Sequence, residues 1–265
     1  MELEIIYSDA DIIVVNKPAG MMAHGKEGEN ARSARASLLS HQGEMSTVAG
    51  ILAEKFPEIR TVGDTPAARP GIVHRLDKDT SGIMAVARNQ KSFLALKTLF
   101  QTRAIEKRYW AIVCGAPKRK SGVIDFPIGR LAKNPTKRGV ALGNAVIRGG
   151  RDAITEYKVL RPGEKFSLVE LMPKTGRMHQ LRVHLKAIGH PVACDRKYGG
   201  KNVCCPMAPD ARASPRATGA RASPEGVSRQ LLHARSLIFS FPEGRRLYFE
   251  ADPPEDFAIA ESAIF

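Results

Sequence analysis

The chain has 265 residues, 43% of them hydrophobic, and a formal net charge of +14. That is enough apolar material for one sizeable core or two small ones, and too little for a multidomain machine. The excess of Lys and Arg points to a polyanionic partner, because each cation near a phosphate releases a condensed counterion, although charge alone does not separate RNA from DNA or an anionic membrane.

In chain order, Asp11-Ile-Ile-Val-Val-Asn16 is a β-branched run, ended by Lys17-Pro18-Ala19-Gly20 with Pro and Gly placed as in a type I turn. Residues 25–36 are polar and Gly-rich. Spaced apolar residues from 36 to 56 suggest short helical turns, the second half being the better helix. Ile83 to Ala87 has the length and apolarity of a buried strand, and Asn89 then caps a helix with Phe93, Leu96, Leu99 and Phe100 on one face. Lys107 to Val113 alternates as a strand, residues 116–152 read as hairpins and exposed loops, and Ala153 to Leu160 and Lys165 to Leu171 as two further strands. Met178 to Ile188 reads as a helix with Leu181, Leu185 and Ile188 on a core stripe and His179, Arg182 and Lys186 on a basic one. Residues 201–230, rich in Ala, Arg, Ser and Pro, read as a mobile basic insertion. Leu231 to Phe241 and Arg245 to Glu250 return to strand patterning, and Pro253-Pro254 ends regular structure.

No apolar run approaches the roughly 20 residues of a membrane span, and acidic Glu2 and Glu4 are unlike a signal peptide, so a cytoplasmic location is expected. Cys114, Cys194, Cys204 and Cys205 lack both paired C-x-x-C spacing and the density of a disulfide scaffold, and read as free thiols. His24, His41, His74, His179, His184 and His190 form no compact ligand set with Asp77 and Asp79; they read as structural, and no metal is expected.

The most informative stretch is His74-Arg75-Leu76-Asp77-Lys78-Asp79-Thr80-Ser81-Gly82. Asp77 lies between two cations, which lower a carboxyl pKa and oppose the effect of burial, so it can stay ionised while partly shielded from water. An isolated D-x-x-T-S-G is ordinarily a surface turn; context changes that reading. Gly71-Ile72-Val73 with Leu76 and Asp77 resembles the catalytic motif of the RluA-type pseudouridine synthases. Asp9 to Gly20, Lys107 to Gly115, Gly176 to Gly199 and, more weakly, Leu232-His233-Ala234 resemble further segments of that family in the same order.

The resemblance implies an α/β fold of α+β type, a mainly antiparallel mixed sheet with flanking helices and a central basic cleft. It implies one catalytic domain over residues 1–265, without the small separate amino-terminal RNA-binding domain of several relatives, acting as a monomer with no obligate protein partner. The implied reaction breaks the bond from uracil N1 to the ribose, turns the base and rejoins it through C5, in a stem-loop of ribosomal or transfer RNA. It requires no cofactor. Asp77 matches the catalytic aspartate, whose attack on the sugar, addition to the pyrimidine or removal of a sugar proton is left open. Tyr109 matches the tyrosine that stacks on the everted base, a contact worth on the order of 1–3 kcal/mol, and Trp110 should face the other side of that strand. Arg182 matches the arginine that pairs with the aspartate, and Leu232 the aliphatic residue closing the pocket, with Leu231 a one-residue alternative. Arg75, Lys17, Arg177 and Arg69 lie in the matched segments and are expected phosphate contacts. Two rivals stand beside this reading: an RNA-binding protein without turnover, and a metal-dependent hydrolase built on His74, Asp77 and Asp79.

Overall fold

A computed structural model of the chain describes residues 2–25, 47–143, 145–200, 203–206, 227 and 229–265. The backbone forms two compact units, one of Met1–Lys107 with Ala234–Asp252 and one of Arg108–His233 with Pro253–Phe265. Most of the expected basic insertion over 201–230, and the first part of the helical region after residue 36, lie outside the described residues.

The first unit is built on strands β1 (Glu4–Ser8), β2 (Ile12–Lys17) and β3 (Ser81–Ala87), with β1 antiparallel to β2 and β2 to β3. Beyond β3 comes the strand Leu232–Ser240, which pairs antiparallel with Arg246–Glu250. Alternation explains why β2 and β3 are buried on both faces. Ile12, Val14, Ile83, Ala85 and Ala87 join a cluster with Phe93, Leu96 and Phe239, whereas Ile13, Val15, Met84 and Val86 join another with Val48, Leu52 and Ile59. One helix covers each face. Helix α1 (Val48–Lys55) begins at Thr47, whose hydroxyl accepts from the Gly50 N–H, and α2 (Gln90–Gln101) begins at the expected Asn89, which accepts from the Ser92 N–H at 2.9 Å.

Two glycines hold the segment between residues 71 and 82 in place. Gly71 has φ +67°, and a Cβ there would lie 2.4 Å from the Ala87 carbonyl oxygen; Gly82 has φ +113°, and a Cβ would lie 2.3 Å from that of Ala234. At Gly82 two backbones approach so closely that no side chain fits. Gly82→Ala is therefore expected to destabilise the chain by about 2–5 kcal/mol, read as the midpoint shift in urea denaturation. An unchanged midpoint would show that the strands can separate without cost.

The second unit orders its strands β4 (Glu106–Cys114), β10 (Phe166–Pro173), β9 (Ile154–Arg161) and β5 (Ser121–Asp125), the paired neighbours all antiparallel. A separate three-stranded sheet, β7 (Asn134–Val140), β6 (Ile128–Leu131) and β8 (Ile147–Arg151), takes up the basic stretch read as hairpins. Helix α3 (Gln180–Ala187) starts two residues later than its pattern suggested because His179 takes the left-handed conformation, φ 56°.

Two expectations are corrected. Regular structure does not end at Pro253-Pro254: α4 (Glu255–Ile264) follows, with Pro254 at its N-cap, Glu255 and Asp256 in the first turn, and Phe257 fully buried. Proline costs nothing there because the first helical N–H groups have no partner within the helix, and the two carboxylates favour the positive end of the helix dipole. The four cysteines are not separate thiols either, for Cys114 is paired with Cys204 and Cys194 with Cys205.

Candidate functional site

Asp77 sits on the loop that enters β3, partly buried between the buried Leu76 and the buried pair Thr80 and Ser81. The loop closes as a turn, the Thr80 N–H donating to the Asp77 carbonyl at 3.1 Å. Its next carbonyl, that of Lys78, accepts from the Gly20 N–H and from Lys17 Nζ, both at 2.9 Å. The Asn16-Lys17-Pro18-Ala19-Gly20 turn is thus a mount for the aspartate loop.

This corrects the expected role of Lys17. Its side chain is fully buried, and Nζ donates to three carbonyls, those of Pro18 (2.9 Å), Met21 (2.8 Å) and Lys78 (2.9 Å). An ammonium has three N–H donors. All are spent on backbone, so Lys17 is a structural cation and not a phosphate contact.

The flanks of Asp77 are held as well. Burial, with the nearby Lys107 charge adding to it, pushes the His74 imidazole from its ordinary 6.5 down to about 3, so the ring is neutral. Its Nε2 accepts from the Ala85 N–H at 3.0 Å, and the ring stacks on Phe100 with centroids 4.5 Å apart. A lone pair engaged in this way does not serve a metal, which counts against a hydrolase using His74 through that nitrogen. The unfolded chain binds a proton at His74 below pH 6.5, whereas the folded chain does so only near pH 3. Stability is therefore expected to be complete above pH 6.5 and to fall, by up to about 1.4 kcal/mol per pH unit, as pH drops from there. Urea midpoints at pH 7 and pH 5 would show this slope, and His74→Gln should reduce it; equal slopes would contradict the assignment.

Tyr109 and Trp110 occupy successive positions on β4 and face opposite ways, as alternation requires. Tyr109, paired in register with Leu171, is half-buried against Leu171, Leu181, Leu185 and Leu232, while Trp110 joins Ile112, Leu168, Leu231 and Phe257. The same division separates the two candidate leucines: Leu232 is on the Tyr109 side and Leu231 on the Trp110 side.

Arg182 is nearly buried on α3, and its guanidinium meets Asp195 in a two-pronged pair, Nε to Oδ2 at 2.7 Å and Nη2 to Oδ1 at 2.9 Å. Asp195 Oδ1 also accepts the N–H groups of Lys197 and Tyr198, and the Tyr198 ring lies 5.0 Å from the Arg182 guanidinium carbon. This fork geometry fixes the arginine's orientation. Helical periodicity cannot show it, because the partner lies in a loop 13 residues further on; the available signal was the Asp inside the matched Gly176–Gly199 segment. Asp195→Asn is expected to cost about 1–3 kcal/mol by removing the charge from the fork that holds the buried guanidinium. Thermal denaturation tests this, and a midpoint within error of the native chain would contradict it.

Among the other expected phosphate contacts, Arg75 is exposed, with Nη1 3.2 Å from His24 Nε2. Arg69 is half-buried, its Nε donating to Thr65 Oγ1, and Arg177 is half-buried, its Nε donating to the Asp152 carbonyl, both at 2.9 Å. The histidines behave as structural groups where described: His184 bridges Thr155 Oγ1 and the Phe126 carbonyl, His190 donates to the Cys114 carbonyl, and His179 Nδ1 meets the Tyr198 hydroxyl. His41 lies outside the described residues.

Residues 11–187 match the family model described as RNA pseudouridylate synthase. The chain is 36% identical over 259 residues to the uncharacterized RNA pseudouridine synthase YlyB of Bacillus subtilis (strain 168), covering 97% of this chain and 71% of that protein. It is 35% identical over 259 residues to the ribosomal large subunit pseudouridine synthase D of Zymomonas mobilis, with the same coverage of each. A solved structure of human RNA pseudouridylate synthase domain containing 4 superposes with a TM-score of 0.66 at 27% identity, covering 98% of this chain and 92% of that one. A match over most of the length, in sequence and in fold, leads to one conclusion: the chain belongs to the RNA pseudouridylate synthase family, of RluA type, and is an isomerase of RNA.

Proposed function

We propose that the chain converts specific uridines in structured RNA to pseudouridine with Asp77 as the reacting group and without a cofactor, as one catalytic domain over residues 1–265. The observation that carries this is the mounting of Asp77: a partly buried aspartate on a loop whose neighbouring carbonyl accepts from two donors and in which Leu76, Thr80 and Ser81 are buried. Such support fixes a reactive group to within the narrow tolerance that catalysis needs.

The reaction asks little more of the protein than this carboxylate and a tight cage. The N1–C1′ bond breaks, the uracil turns, C5 bonds to C1′, the C5 proton leaves and N1 takes up a proton, so atoms balance and no electrons are gained or lost overall. Tyr109 is assigned to stacking on the everted base, and it is half-buried on β4. Leu232 is assigned to closing the pocket, in keeping with its place on the Tyr109 side of the core. Arg182 is assigned to restraining the Asp77 carboxylate, and Arg75, Arg177 and Arg69 to phosphates. Eversion costs a few kcal/mol, which favours unstacked loop nucleotides as targets. Relatives named ribosomal large subunit pseudouridine synthases favour ribosomal over transfer RNA as the substrate. We place the activity in the cytoplasm and in a monomer.

Tritium release from RNA labelled at uracil C5 tests the proposal. Native chain should release label and Asp77→Ala should not; equal release by both would remove Asp77 as the reacting group, and no release by either would leave an RNA-binding protein without turnover.

A further inference from the structure

The chain has four cysteines in all, and the structure brings every one of them together from three separate segments. Cys114 ends β4 and Cys194 follows the bridge between Val113 and Val192, while Cys204 and Cys205 are adjacent. Cα atoms are 6.3 Å apart for Cys114 and Cys204, and 4.8 Å apart for Cys194 and Cys205. Because Cys204 and Cys205 are consecutive, two pairs that share this dipeptide must be close to each other as well. The segments are also tied by backbone: the Cys194 N–H donates to the Cys204 carbonyl at 2.7 Å, and the Cys114 N–H to that of Pro191 at 2.9 Å.

With both pairs closed, no group of three metal-ligating side chains exists among the described residues. In the cytoplasmic location proposed above, on which this inference rests, thiol pools keep cysteines reduced. Opening both pairs would then leave four thiols on neighbouring segments, Cys114 beside Cys204 and Cys194 beside Cys205. Cys194, Cys204 and Cys205 sit among Trp110, Leu168, Leu231 and Phe257, an apolar lining with few groups to satisfy them.

We propose that Cys114, Cys194, Cys204 and Cys205 bind one structural zinc ion as a tetrathiolate. Four thiols give up four protons to the solvent, and the thiolates close a tetrahedron at Zn–S distances of about 2.3 Å. No oxidant is needed, in contrast to disulfide formation. The ion fastens Val203–Pro206 to the end of β4 and to the turn that carries Asp195, the carboxylate holding Arg182. Its role is structural, and its presence does not depend on the reading of Asp77.

The test is metal analysis of the full chain purified under reducing conditions, with intact mass measured without reductant. About one zinc per chain is expected, absent from Cys204→Ser/Cys205→Ser. Cobalt(II) added to metal-free native chain should give the visible absorption of tetrahedral thiolate coordination, a readout that survives if the double variant does not fold. A chain that takes up no metal at saturating zinc, whether with four titratable thiols or with a mass four hydrogens lighter from two disulfides, overturns the proposal.

Discussion

Asp77→Asn should reduce the rate of pseudouridine formation by on the order of 10⁴-fold or more while leaving RNA affinity nearly unchanged. Asparagine keeps the size of the side chain and its carbonyl acceptor, and removes only the negative charge and the basic oxygen. The turn that carries the residue is closed through main chain, Thr80 N–H to the residue 77 carbonyl and Gly20 N–H to that of Lys78, and these bonds do not involve the carboxylate. RNA binding rests on cations and on base stacking, which the change leaves in place. A loss confined to turnover is the signature of a group that acts in the transition state. Single-turnover rates and filter-binding affinities, measured side by side, separate the two. If the rate falls only in proportion to affinity, Asp77 is a binding residue and not the reactive one.

Lys17→Met carries the second large effect, and it is an effect on stability. Methionine replaces the aliphatic stem well but removes the ammonium donor from the carbonyls of Pro18, Met21 and Lys78, of which the Lys78 carbonyl keeps the Gly20 N–H. Each unsatisfied carbonyl costs about 1–3 kcal/mol, offset in part by no longer burying an ammonium, for an expected net loss of about 2–4 kcal/mol. Lys17→Arg should not restore stability, because a planar guanidinium cannot direct three N–H groups at three convergent carbonyls from a fully filled site. A phosphate contact would behave differently: arginine would serve, stability would stay level, and the methionine variant would bind RNA with a salt dependence lower by about one counterion. Urea denaturation and salt titration of RNA binding distinguish the two.

Much of the first unit was legible because its signals are local. The β-branched run of β2, the Asn89 cap and the apolar face of α2 follow from spacing and from the side chains that satisfy free backbone groups at a helix start. Alternation on β4 correctly set Tyr109 and Trp110 on opposite sides, and the same rule, once the neighbouring cores are known, separates Leu231 from Leu232. What stayed hidden depends on distant partners. Lys17 reads as a surface cation until the Lys78 carbonyl, 61 residues away, comes back over it. Arg182 reads as part of a basic helical stripe until Asp195 folds beneath it. Four cysteines without regular spacing read as unrelated until β4 and the loops after α3 gather them. The helix after Pro253-Pro254 is hidden for the opposite reason: proline reads as a terminator where it serves as a start.

The most direct measurement is a map of pseudouridines in total RNA from cells lacking this chain, cells given it back, and cells given Asp77→Asn at equal abundance. The account predicts that particular uridines lose the modification without the chain, regain it with the native sequence and stay unmodified with the variant. Sites restored equally by the variant, or no site that depends on the chain at all, would contradict it.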